Sequence, residues 1–147
     1  MAEQTCDVWA DKVPEQIAII DLSEARQEIS YGDLRGMADG LAHYFCDCGV
    51  QRGDRIGVLR TQGPWTAAAH IACWKIGAIS VPLFKLFKHD ALASRVGDAG
   101  CAIVLTDDEG AALLGDLAEA WMAESVGISG DPVEFADTAA DDPAVLI

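Results

Sequence analysis

The chain has 147 residues, of which 51% are apolar, a length suited to one domain that buries roughly 68–70% of its unfolded surface. Its net charge of −14 is uneven: residues 1–89 hold 11 acids and 9 bases, residues 90–147 hold 13 acids against Arg95 alone. A nucleic-acid surface needs clustered Lys and Arg and is excluded, no apolar run reaches the ~18 residues of a membrane span, and the acidic half is expected to be a solvated face.

The N-terminal stretch MAEQTCDVWADKVPE lacks the basic and apolar regions of a signal peptide, so a cytoplasmic protein is expected. Within it, VWADKVP predicts a short helix ending before Pro14, because the residue before a proline avoids the helical region. IAII (17–20) predicts a buried strand and EIS (28–30) an edge strand that runs into a helix. That helix is well marked. Ser30 and Asp33 stand at capping-box spacing. Leu34, Met37, Leu41, Phe45 and Cys48 form an apolar stripe, while Arg35, Asp39, His43 and Asp47 recur on the other face, which is expected to be solvated. Gly49 is the expected C′ glycine, with Val50 packing back.

Gly53-Asp54 predicts a turn and RIGVLR (55–60) a strand. Pro64 suits the first turn of the next helix, and WTAAAHIACWKI is apolar on most sides, as a helix buried between layers would be. Trp65 and Trp74 are assigned to the core, and His70 to a hydrogen-bonded interior position. Gly77 ends this helix. AISVPL (78–83) predicts a strand, DALASRVGDA (90–99) a helix capped by Asp90, AIVLT (102–106) a strand, and residues 109–124 a helix weakened by Gly115. Residues 125–140 show little periodicity, and DDPAVLI (141–147) predicts a turn and the start of another strand. Strands separated by helices imply parallel pairing through right-handed crossovers. Near-continuous apolar strands imply a sheet covered on both faces. The expected fold is α/β, a three-layer αβα sandwich with a mostly parallel sheet.

The five cysteines, an odd number scattered through apolar stretches, are expected to be reduced core thiols. Cys46 and Cys48 sit at i and i+2 and point apart on a helix, and His43 with Cys46 lacks further ligands, so no metal site is expected. None of the motifs G-x-G-x-x-G, G-x-x-x-x-G-K-[ST] or G-x-S-x-G occurs. The residues alone describe a scaffold with no assembled Ser/His/acid set.

The order of the elements is more informative. ISYGDL, GVQRGDRIGVLR, WKIGAISVPL, PLFKLFKHDALASRVGDAGCAIVLTD and DDPAVLI follow one another along nearly the whole chain. This succession resembles the N-terminal part of the AMP-forming adenylate synthetases, and VPLFKLF is most similar to the acetyl- and medium-chain acyl-CoA synthetase branch. The resemblance implies a ligase whose parent uses ATP, Mg²⁺ and coenzyme A. A small carboxylic acid attacks the α-phosphorus of ATP, and the coenzyme A thiol then displaces AMP. It also implies that residues 1–147 are an N-terminal α/β subdomain that stops just before the phosphate-binding loop. On that reading this piece is inactive alone, holds no catalytic residue, binds none of these cofactors tightly, and self-associates. Relatives contact coenzyme A with arginines after the stretch corresponding to TDDEG; this chain has none there. Lys85 and Lys88 are the nearby bases that would substitute, the alternative being ordinary surface lysines. The family commonly has Gly-Pro where this chain has Lys88-His89. A stand-alone, non-catalytic protein-binding module on the same scaffold is the competing reading.

Overall fold

The computed structural model describes residues 1–23 and 25–147, with Glu124 described in its backbone alone. A π-helical turn (Glu3–Asp7) runs into α1 (Val8–Lys12), longer at its start than the sequence suggests. Strands β1 (Ile17–Asp21) and β2 (Gln27–Ser30) form a separate antiparallel pair. Ile17 and Ile20 are exposed on it, so β1 is a strand but not a buried one. The capping box of α2 (Tyr31–Asp47) is formed as expected: Ser30 Oγ accepts from Asp33 N at 3.1 Å, and Ser30 N donates to Asp33 Oδ2 at 3.2 Å. Gly49, at φ +86°, lets the chain turn left-handed after the helix, and Val50 N donates back to Phe45 O.

Four parallel strands follow: β3 (Arg55–Leu59), β4 (Ile79–Leu83), β5 (Ile103–Thr106) and β6 (Glu119–Met122), in the order β4-β3-β5-β6. α3 (Pro64–Lys75) packs with α2 on one face, and α4 (His89–Ala99) with α5 (Asp108–Leu114) on the other. Two cores result. One joins Leu41, Phe45, Ile56, Val58, Ala69 and Trp121; the other joins Leu59, Val81, Leu92, Val96, Val104 and Leu114. This is the expected three-layer sandwich.

The expected helix over 109–124 is corrected. It stops at Leu114, where Gly115 (φ +59°) turns the chain back, and Glu119–Met122 extends as β6 beside β5. The pairing with β5 supplies what Glu-Ala-Trp-Met lacks in intrinsic strand preference. Asp90 lies inside the first turn of α4, and Lys88 holds the cap position. Cys48 is exposed at the end of α2, as is Cys46, so only Cys6, Cys73 and Cys101 are core thiols.

The polar face of α2 is not solvated throughout. Gly36 and Gly40 admit the backbone of residues 127–129, with Ser129 N donating to Gly36 O at 3.0 Å. His43 Nε2 lies 3.1 Å from Asp131 O. Asp39 is buried and paired with the fully buried Lys75 at 2.6 Å. The tail continues to β4, where Val145 pairs in parallel with Ser80. Ser80 N donates to Ala144 O and Leu146 N to Ser80 O, so Ser80 turns both groups outward. By alternation Pro82 faces the same way, and its missing N–H falls on the outer edge.

Candidate functional site

Parallel α/β sheets bind ligands beyond the carboxyl ends of their strands, where the strand order reverses. Here β4 and β5 flank β3 on opposite sides, so the reversal lies between β3 and β5. The residues just past those strands are Arg60 and Asp107. Arg60 Nη1 donates to Thr106 O at 2.8 Å, and Thr106 Oγ1 donates to Leu59 O at 2.7 Å. Asp107 caps α5 by accepting from Gly110 N at 2.9 Å. Gly110 is required by space, since a Cβ there would stand 2.0 Å from Thr106 Oγ1 and 2.6 Å from Leu59 O.

Lys85, past the end of β4, reaches over this cluster. Its ammonium lies 2.8 Å from Asp107 Oδ2 and 2.7 Å from Glu109 Oε2. Burial would raise the Asp107 carboxyl, but hydrogen bonds from Lys85 and Gly110 N, with the charges of Lys85 and Arg60, hold it below the usual range. Burial would lower the Lys85 ammonium; the two carboxylates raise it. Both groups are therefore charged at neutral pH. Lys88, at the start of α4, is exposed, and its ammonium makes no hydrogen bond or ion pair with the described residues. The structure thus separates the two sequence-nominated lysines: Lys85 is held by two acids, Lys88 is open to solvent.

Two clefts flank this end of the sheet and the outer edge of β4. One of about 240 Å³ is lined by Asp21, Ser23, Arg60, Thr61, Gly63 and Trp65. The other, about 540 Å³, lies along the outer edge of β4 between Val81, Leu83, Phe84, Phe87, Arg95 and Leu146, with the Arg95 guanidinium 4.0 Å from the Phe87 ring centre. Neither is lined by a glycine-rich loop that would offer a polyphosphate a run of N–H groups. Nor do these residues form a nucleophile–base pair. His70 is half-buried and stacks on Trp74, its burial lowering the imidazole pKa, and among the described residues its ring lacks the hydrogen bond expected of it. Among the described residues no three His, Cys, Asp or Glu side chains gather around one metal position.

Arg60 and Asp107 escaped the sequence reading, although a signal was present. Each is a charged residue immediately after an apolar strand, the position that faces ligands in a parallel sheet.

Comparison with known proteins bears on this geometry. The family described as AMP-binding enzyme matches residues 6–146. The acetyl-coenzyme A synthetase of Desulfatibacillum aliphaticivorans is 35% identical over 113 residues, which cover 75% of this chain and 18% of that protein. The human mitochondrial acetyl-coenzyme A synthetase 2-like protein is 35% identical over 107 residues, 71% of this chain and 16% of that one. The chain thus spans less than a fifth of these relatives. Among solved structures, a fatty acid AMP ligase from Legionella pneumophila superposes with a TM-score of 0.85 at 19% identity, covering 98% of this chain and 27% of that one. VinN with 3-methylaspartate gives 0.87 at 24%, covering 100% and 43%. At these identities the structures establish a shared fold. Among the described residues no helix is long and apolar enough to cross a membrane.

Proposed function

The chain belongs to the AMP-binding enzyme family, and from that membership we propose that residues 1–147 form the N-terminal α/β subdomain of an AMP-forming acyl-CoA synthetase acting in the cytoplasm. The parent reaction joins a small carboxylic acid to ATP, releasing pyrophosphate, and then passes the acyl group from AMP to coenzyme A. The observation that carries this reading is the family match over nearly the whole chain, supported by the 35% identity to acetyl-coenzyme A synthetases. The local chemistry agrees with a supporting rather than a reacting role. The sheet edge holds charges that neutralise one another, and on this proposal the clamping of phosphate charge that such a reaction needs falls to the rest of the parent.

Chimeric grafting tests the assignment. Residues 1–147 replace the matching segment of the Desulfatibacillum acetyl-coenzyme A synthetase, and acetate-dependent exchange of labelled pyrophosphate into ATP is measured. Restored exchange is expected; a folded chimera without exchange counts against the reading. The 147-residue chain alone is expected to give no exchange above a buffer blank.

Coenzyme A contact is assigned within this proposal to Lys85 and Lys88. Lys88 carries the larger share, because Lys85 must first release Asp107 or Glu109. In the chimera, replacing both with Ala should raise the coenzyme A KM and leave pyrophosphate exchange intact. Unchanged thioester kinetics would make both lysines ordinary surface residues.

A further inference from the structure

Three ionisable side chains meet in the interior where the N-terminal segment lies on α2 and α3. Lys75 Nζ donates to Asp7 Oδ1 and to Asp39 Oδ1, each at 2.6 Å. Asp39 Oδ1 also accepts from Val133 N at 3.3 Å. Asp7 is less well served: its Oδ2 is buried without a hydrogen-bond partner among the described residues. Two carboxylates against one ammonium leave one excess negative charge in a site with little water, and uncompensated buried charge is costly.

The other groups facing Asp7 do not remove that excess. Arg35 on α2 is paired with Asp11. Cys6, the preceding residue, is a buried thiol pushed up to about 11 by burial and then by the Asp7 charge, so it stays neutral. From the tail, Phe135 sets its ring 5.2 Å from Lys75 Nζ and adds no charge.

We propose that Asp7 is a proton-coupled clasp: with Oδ2 protonated the triad is neutral and residues 1–12 lie closed on α2 and α3, and with Asp7 ionised the segment opens. Burial raises the Asp7 carboxyl above its ordinary value, outweighing the Lys75 hydrogen bond and charge that lower it. A carboxyl raised in the closed form favours closure at low pH. Its contribution is complete below the ~3.9 of a free aspartate and is lost as pH rises through the closed-form value. Within that window each pH unit lowers the closed-to-open ratio by up to about tenfold.

Two measurements on the 147-residue chain test the clasp. The first is amide hydrogen exchange at Val8–Lys12 between about pH 3.5 and 7.5, corrected for the intrinsic pH dependence of exchange. Protection should fall as pH rises while amides of β3 and β5 hold. Asp7→Asn, neutral throughout, should keep the segment protected and flatten the profile. The same pH-dependent fall in Asp7→Asn, or no fall in the wild type, overturns the proposal. The second is the carbon-13 titration of the Asp7 carboxyl in the wild-type chain, which decides the matter if the variant does not fold. A midpoint above ~3.9 is expected, and one at or below it overturns the clasp.

Discussion

Replacing Gly40 with Ala should destabilise the protein even though alanine is the better helix former. Gly40 lies inside α2, and a Cβ there would stand 2.1 Å from the Gly127 carbonyl oxygen. Carbon–oxygen contacts normally sit near 3.3–3.6 Å, so the tail must retreat by about 1.2 Å. That retreat loosens the Ser129 N–Gly36 O bond and the Val133 N–Asp39 contact, both anchored on the same face. Overpacking of this kind costs about 1–3 kcal/mol, and each hydrogen bond lost adds ~1 kcal/mol. The gain in helix propensity returns ~1 kcal/mol. The net is a loss of about 2–4 kcal/mol, or a Tm lower by roughly 6–12 °C for a domain of this size. Gly97→Ala in α4 is the control: nothing lies within 4 Å of its added Cβ and its φ is not positive, so it should gain ~0.5–1 kcal/mol. Urea and thermal denaturation measure both variants. If Gly40→Ala is as stable as the wild type, or gains as Gly97→Ala does, the tail does not pack on α2 as described.

Lys75→Met should cost about 3–5 kcal/mol, because it leaves Asp39 buried without its cation; urea denaturation reads this directly. Asp107, held below the usual carboxylate range, contributes stability that is present above pH ~4 and lost as pH falls through its folded value. Lys85→Ala should therefore raise the Asp107 midpoint in a carboxyl NMR titration, and an unmoved midpoint would refute the pairing. The 147-residue chain should self-associate near physiological salt at tens of micromolar, through Phe84, Leu86, Leu146 and Ile147, all exposed along the β4 edge. Light scattering after size exclusion that returns a clean monomer would count against this.

Local signals carried most of the fold. The Ser30/Asp33 box, the Gly49 and Gly77 turns and Pro64 at the first turn of α3 each act within a few residues, and each appears where expected. Asp39 could not be read this way. Its four-residue repeat with Arg35 and His43 is that of a solvated face, and its burial comes from sequence-distant partners, Lys75 of α3 and the segment at Val133. Gly36 and Gly40, spaced by one turn on that face, were the visible sign that a backbone approaches. β6 failed for a similar reason, because Glu-Ala-Trp-Met becomes a strand only by joining β5. At the sheet edge Lys85 was legible as a base near an acidic stretch, but its capture by Asp107 and Glu109 depends on how β4 and α5 meet.

The four-stranded sheet contains no hairpin, and this shapes how the chain must fold during synthesis. β3 finds its first partner only when Ile79 has emerged to meet Arg55, its second only with Ile103 opposite Ile56, and Ser80 waits for Val145. Until then α2 and the β1–β2 pair are the structures a nascent chain can form from neighbouring residues. Non-local parallel pairings close large loops before contacts reward them and are intrinsically slow. A ribosome making this protein thus extrudes β3, one of the most apolar strands, well before the partners that cover its hydrogen-bonding edges. Slowing translation after Leu59 should lengthen that exposure and increase chaperone capture, whereas slowing it after Ile147 should not.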